Sequence, residues 1–237
     1  MMTTDVKYPQ WLPKWLRPAP LDLKRARTFT EEFFADRLES VHRIPGWLHP
    51  DQAAMLCHLA RICPDGPIVE IGSFKGKSTV FLAVAKKETN SLTSIDPHIL
   101  TVSGDKRDRE AECTSEKTSW DAFNGTLNDW NIEDEVSVVR DFSYNVSGQW
   151  SDPIAFLWID GDHRYEGVVR DIGDWVEKVQ PGGFVGFHDT HPNHAGHGGP
   201  RRAILEAGCL APRGFETYLE LRNAWFFRRS GLPGQEV

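Results

Sequence analysis

The 237-residue chain is defined first by what it lacks. It has no apolar run approaching the roughly 20 residues that a membrane-crossing helix needs. It also has no charged start followed by an apolar stretch of the kind that marks a secretion signal. The expectation is therefore a cytoplasmic protein with no membrane partner. Cysteine is scarce: Cys57, Cys63, Cys113 and Cys209 include no C-x-x-C pair, which suits reduced thiols in a core rather than a disulfide framework. No basic tract offsets the formal charge of −7, so a nucleic-acid partner held through its phosphates is excluded. Internal repeats and low-complexity tails are absent as well.

What is present fits one well-buried core. At 40% hydrophobic residues, the length accommodates a single domain, expected over 45–237, preceded by an extension over 1–44. Residues 8–20, YPQWLPKWLRPAP, hold two Trp and four Pro and predict an extended arm rather than a helix. This arm could close over an acceptor as a lid or pack against a second copy of the chain as a homo-oligomer contact. Helical patterns follow at about 21–43 and 50–63. From Ile68 onward, short apolar runs alternate with helical patterns, the signature of an α/β parallel sheet with helices on both faces. The runs are Ile68–Ile71, Leu92–Ile95, Val136–Val139, Ile154–Ile159 and Phe184–Phe187. Between the last two, apolar residues from Tyr165 to Val179 recur at helical steps, and Pro181-Gly182-Gly183 is expected to stop that helix and turn the chain into the next strand. A helix around Arg201–Ala207 and two antiparallel runs, Glu216–Leu221 and Ala224–Arg228, complete the pattern.

The segment VEIGSFKGKST, 69–79, has the look of a phosphate-binding loop, but its spacing is wrong. Such a loop needs four residues between its glycines so that successive N–H groups surround a phosphate. Here only Ser73, Phe74 and Lys75 separate Gly72 from Gly76, and Glu70 adds negative charge at the mouth. Asp96 follows Gly72 by 24 residues, close to the spacing at which an acid after the second strand grips ribose hydroxyls. The glycines do not form the G-x-G-x-x-G landing for a pyrophosphate. Ribose without pyrophosphate is the inference, and S-adenosylmethionine is such a ligand.

Ligands of open parallel sheets sit outside the carboxyl ends of the strands. Each of the five runs ends in an acid: Glu70, then Asp96, Asp141, Asp160 with Asp162 and His163, and finally Asp189 beside His188. One such acid can be a helix cap. Five in succession point to a site.

VEIGSFKGKST, SIDPH, IDGDHRYEGV and PGGFVGFHDTH, taken in order, resemble the class I S-adenosylmethionine-dependent methyltransferases. More narrowly, they resemble the small-molecule O-methyltransferase branch that includes macrocin-type sugar enzymes (methyltransferase family 24-like). The resemblance covers roughly residues 45–230. It implies a Rossmann-like, mostly parallel seven-stranded sheet with an antiparallel C-terminal hairpin. Around the cofactor it implies that Glu70, Ile71, Gly72, Ser73, Gly76 and Ser78 line the methionine part and Asp96 holds the ribose. Asp141, Phe142 and Ser143 would lie near the adenine, with Asp160 also at the cofactor. The family's divalent-metal carboxylates fall on Asp160 and Asp189, for probable Mg²⁺, with His188 a further candidate ligand. Where some relatives carry a second acid or an Asn beside Asp189, this chain has His188 and Thr190, which leaves the third ligand open.

Methyl transfer from a sulfonium is an in-line displacement, so an oxygen nucleophile must be placed on the methyl axis and relieved of its proton. His163, three residues after Asp160, is the expected base and Asp162 the reserve. A rival reading makes His188, His191, His194 and His197 a transition-metal site with Asp189; their Pro/Gly loop favours histidines facing a substrate mouth instead. His98 is expected on the cofactor side, Lys77 as a solvated residue of the first helical turn, and Trp158 in the core. The expected activity is methyl transfer to a hydroxyl of a small-molecule acceptor, a sugar-bearing or other specialised metabolite. A metal-independent N- or O-methyltransferase is the alternative, and a nucleotide-dependent oxidoreductase is the more distant one.

Overall fold

The computed structural model describes residues 37–99, 118–191, 198–208 and 210–230, with Arg27, Thr30, Glu31 and Phe34 upstream. The arm at 8–20, Cys113, Cys209, His194 and His197 lie outside the described residues.

Seven strands form one sheet: β1 (Ile68–Ile71), β2 (Leu92–Ile95), β3 (Val136–Val139), β4 (Ile154–Ile159), β5 (Val179–Phe187), β6 (Phe215–Leu221) and β7 (Ala224–Arg229). Their order is β3-β2-β1-β4-β5-β7-β6. β1 to β5 pair in parallel, and β7 enters antiparallel between β5 and β6. Strand order reverses between β1 and β4, which opens a crevice at the carboxyl ends of the sheet's centre. The helices are α1 (Leu38–Arg43), α2 (Pro50–Ile62), α3 (Lys77–Ala85), α4 (Ser119–Trp130), α5 (Ser143–Ser147), α6 (Tyr165–Trp175) and α7 (Gly198–Ala203).

Strand alternation sorts the core into two layers. Phe156 and Trp158 of β4 face the layer built with α2, α3 and α4, where Met55, Phe81 and Phe123 are fully buried. Leu157 and Ile159 face the opposite layer with Val168, Ile172 and Trp175 of α6. Phe34 and Val41 join the first layer, and the Phe34 ring lies 5.0 Å from that of Phe81, so packing crosses position 44. Cys57 and Cys63 are buried free thiols, and burial pushes Cys57 up to about 12 and Cys63 to about 11, leaving both protonated.

Local signals set the ends of the elements. Pro50 opens α2, where the His49 ring accepts from Asp51 N and the Gln52 side chain accepts from His49 N. Thr118 and Asp121 form the capping box of α4. The fifth strand begins earlier than the sequence suggests: Val179 already pairs with Ile154, and a register shift before Phe184 absorbs Pro181-Gly182-Gly183 as an irregularity within the strand. The preceding helix correspondingly ends at Trp175. Around 201–207, a short α-helix at Gly198–Ala203 passes into a π-helical turn at Ile204–Gly208.

Candidate active site

A cavity of about 750 Å³ opens at the carboxyl ends of β1, β2, β4 and β5. Ile71, Gly72, Ser73, Ser78, Asp96, Phe142 and Ser143, named from sequence as cofactor residues, all line it. Asp160, Asp162, His163, His188 and Asp189 line it too.

Three named residues do not. Glu70 is fully buried beneath the loop, where its two oxygens accept from Ser78 Oγ at 2.5 Å and Thr79 Oγ1 at 2.6 Å. Burial pushes its carboxyl up to about 7 against these bonds. Its place in the structure is to tie β1 to the first turn of α3. Gly76 stands at the N-cap of α3 with φ +87°, packed against Phe123 and Thr126. Asp141 turns back onto its own loop, accepting from Phe142 N at 2.7 Å and Asn145 Nδ2 at 2.8 Å. Lys77 departs from the solvated role expected of it: its ammonium donates to the carbonyls of His42 and Gly46, clamping α1's exit to α3.

Asp96 organises the β1 side of the cavity. Its Oδ2 accepts from the N–H groups of Ser73 and Phe74, each at 2.9 Å, and its Oδ1 accepts from His98 N at 2.6 Å. Phe74 and His98 both adopt positive φ, 49° and 53°, so the carboxylate stabilises backbone that L-residues seldom take up. The His98 ring is buried on the cavity wall against Trp120 and Phe123.

At the other end, His163 Nε2 stands 3.4 Å from both Asp160 Oδ1 and Asp189 Oδ2. Ligand atoms of these three side chains lie within 4.8 Å of one another, a grouping able to hold a metal ion. His188, buried behind them, places Nδ1 3.0 Å from Asp160 Oδ1 and 3.6 Å from Asp189 Oδ1. Asp189 has φ +53°, which turns its carboxylate into the cavity directly after the strand. Burial alone would lower both imidazoles. For His163 the Asp160 bond and the Asp189 charge outweigh it, and for His188 the Asp160 charge and bond do so, leaving both raised. Asp160 is lowered, because the two histidines overcome its own burial. Asp162 is engaged elsewhere: Arg164 grips both its oxygens, at 2.9 Å from Nε and 2.6 Å from Nη2.

Two further residues had no signal in the sequence. Gln52 of α2, wholly buried, lies 3.3 Å through Oε1 from His188 Nε2 and donates from Nε2 to Asn223 Oδ1 at 2.6 Å. Asn223 Nδ2 in turn donates to Asp189 Oδ1 at 2.8 Å. This part-buried chain spans 171 positions of sequence and ties the two groups at the end of β5.

The family model described as a methyltransferase domain matches residues 69–190, just over half of the chain. The chain belongs to this methyltransferase family. Its cofactor, for the class I enzymes that the motifs resemble, is S-adenosylmethionine. Among solved structures, the methyltransferase is similar to cofactor-bound Rv0187 from MTB, at 17% identity and TM-score 0.58 over 90% of this chain and 98% of that one. It is similar to an O-methyltransferase from Bacillus cereus in complex with SAH, at 18% and 0.58 over 86% and 98%. A third is the O-methyltransferase TomG of Streptomyces achromogenes, involved in tomaymycin synthesis and solved with SAM, at 18% and 0.54 over 88% and 89%. At these identities the likeness shows the shared Rossmann-like fold. The uncharacterized protein R132 of Acanthamoeba polyphaga mimivirus is 28% identical over 127 residues, 51% of this chain. The methyltransferase spans about half the length of that curated relative. Among the described residues, no helix is long and apolar enough to cross a membrane.

If Asp96 holds the ribose as the sequence suggests, Asp96→Ala weakens S-adenosylhomocysteine binding by about 10- to 100-fold, from the loss of roughly 1.5–3 kcal/mol in hydrogen bonds to a charged group. Titration calorimetry measures it; unchanged affinity would place the ribose elsewhere.

Proposed function

We propose that this methyltransferase transfers a methyl group from S-adenosylmethionine to a hydroxyl of a small molecule, a sugar-bearing or other specialised metabolite. The observation that carries the reading is His163, poised between Asp160 and Asp189 at the cavity floor. In this reading Ser73, Ser78 and Asp96 hold the cofactor along the β1 and β2 ends. The acceptor enters over β4 and β5. Its oxygen attacks the methyl carbon as the carbon–sulfur bond breaks, the sulfur leaves as a neutral thioether, and His163 Nε2 takes the hydroxyl proton. Asp160 and Asp189 stabilise the imidazolium so formed. Arg164 keeps Asp162 occupied, which favours His163 over Asp162 as the base.

The carboxylates of Asp160 and Asp189 face a shared space that fits a divalent cation, and oxygen ligands suit Mg²⁺; His163, beside them, keeps its nitrogen for the proton. Asp160 and Asp189 would hold it, and Mg²⁺ bound there would make a coordinated hydroxyl more acidic. A metal-independent enzyme is the second reading, favoured by one observation: the His188 imidazole already sits between the same two carboxylates.

Chelation decides between them. Turnover in excess EDTA is expected to fall to a few per cent and to return with Mg²⁺. Asp160→Ala and Asp189→Ala should each remove that stimulation while leaving S-adenosylhomocysteine affinity within a few-fold of wild type. Full turnover in chelator would transfer the neutralising role to His188.

A further inference from the structure

Asp171 sits on the second turn of α6, one helical turn beyond Gly167, and both residues line the cavity. It is nearly inaccessible, with only 4% of its surface exposed. Ser143 is its hydrogen-bond partner among the described residues, at 2.5 Å, and that contact is to Oδ1. The other oxygen, Oδ2, faces the loop after β4, where a Cβ on Gly161 would stand 3.9 Å away. With Oδ1 taken by Ser143 and the residue on the cavity lining, Oδ2 is open to a ligand N–H. Beside it, the rings of Phe142 and Tyr144 stack within 14° of parallel, and the Arg170 guanidinium lies 4.0 Å over Tyr144. A flat aromatic wall next to an acceptor oxygen suits a planar heterocycle bearing an amino group.

Phe142, Ser143, Tyr144 and Asp171 line the same cavity as Asp96 and His163 and together offer it an aromatic face and an acceptor oxygen, the two features that a nucleobase needs. Asp141, the acid that the family resemblance put near the adenine, spends Oδ1 on Phe142 N and Asn145 Nδ2 and does not line the cavity. We propose that Asp171 reads the adenine of S-adenosylmethionine, its Oδ2 accepting from the exocyclic amino group. The assignment rests on the cofactor placement proposed above. It takes the acid in its ionised form, in which Oδ1 accepts from Ser143 Oγ and Oδ2 is left to accept from the ligand; burial pushes this carboxyl up to about 7, so the titrations below are run well above that pH. The side chain is thus a specificity residue for an amino-bearing purine.

Calorimetry with S-adenosylhomocysteine and with S-inosylhomocysteine, which carries a 6-oxo group in place of the amine, tests it. The wild-type chain should prefer the adenosyl ligand by roughly tenfold or more, the loss expected when an acceptor meets another acceptor. Asp171→Ala should weaken the adenosyl ligand to about the affinity of the inosyl one. Asp171→Asn, close in shape and able to turn either an oxygen or an amine to the cavity, should narrow the preference while keeping the thermal midpoint near wild type. Equal affinity of the wild type for both ligands overturns the proposal. So does an equal weakening of both ligands in both variants, which would mark Asp171 as a packing tie between α5 and α6. If the wild type binds neither, the cofactor placement itself is wrong and this assignment goes with it.

Discussion

His163→Ala is expected to lower turnover by roughly 10²- to 10⁴-fold, the range for removing a general base, while S-adenosylhomocysteine affinity stays within a few-fold of wild type. The side chain faces the carboxylates of Asp160 and Asp189 rather than the Asp96 end of the cavity, so its loss should touch chemistry and not cofactor binding. The pH profile gives an independent sign. The two carboxylates stabilise the imidazolium, and the raised ionisation means the neutral base accumulates only above the ordinary His value of about 6.5. The residual turnover in excess chelator should therefore rise with pH through an ionisation above that value, and the rise should vanish in the variant. An Asp162→Ala variant should lose far less, because Asp162 is held by Arg164. If Asp162→Ala is the crippled enzyme and His163→Ala the active one, the roles are reversed and His163 only begins α6.

Gly72→Ala should abolish cofactor binding and cost about 2–4 kcal/mol of stability, from positive-φ strain together with overpacking. Gly72 has φ +87°, and a Cβ there would stand 2.3 Å from the carbonyl oxygen of Asp160 and 2.7 Å from Gly161 Cα. Both neighbours are backbone, so no side chain can yield; the loops after β1 and β4 would have to separate. Those are the loops on which Ser73 and Asp160 are mounted. Denaturant unfolding reads the stability, and a variant as stable as wild type would mean that the close approach is not needed.

The parallel sheet was legible because buried strands read as short apolar runs, fully buried in β1, β2 and β4 and partly so in β3 at the sheet edge, and all four have the bounds their runs suggest. The beginning of β5 was not, since Pro181-Gly182-Gly183 has the chemistry of a turn and only pairing with β4 keeps it in the strand. In the site, acids immediately after strands were visible from position alone, and Asp96, Asp160 and Asp189 do face one cavity. Position could not say which way a side chain turns. Glu70 and Asp141 have the same placement, yet Glu70 is consumed by the hydroxyls of Ser78 and Thr79 and Asp141 by its own loop. Gln52 and Asn223 were illegible for another reason. Gln52 caps α2 and Asn223 lies between β6 and β7, roles that give no local hint of a site, and only the tertiary fold places them in contact behind Asp189.

The cavity of this methyltransferase is proposed to hold S-adenosylmethionine, with its ribose on Asp96. The most direct measurement is titration calorimetry of the purified chain with S-adenosylhomocysteine, repeated with ATP and with NAD. One tight site for S-adenosylhomocysteine is expected, lost or much weakened in Asp96→Ala, with neither nucleotide competing. Tighter binding of ATP or NAD, with no response to S-adenosylhomocysteine, would contradict it.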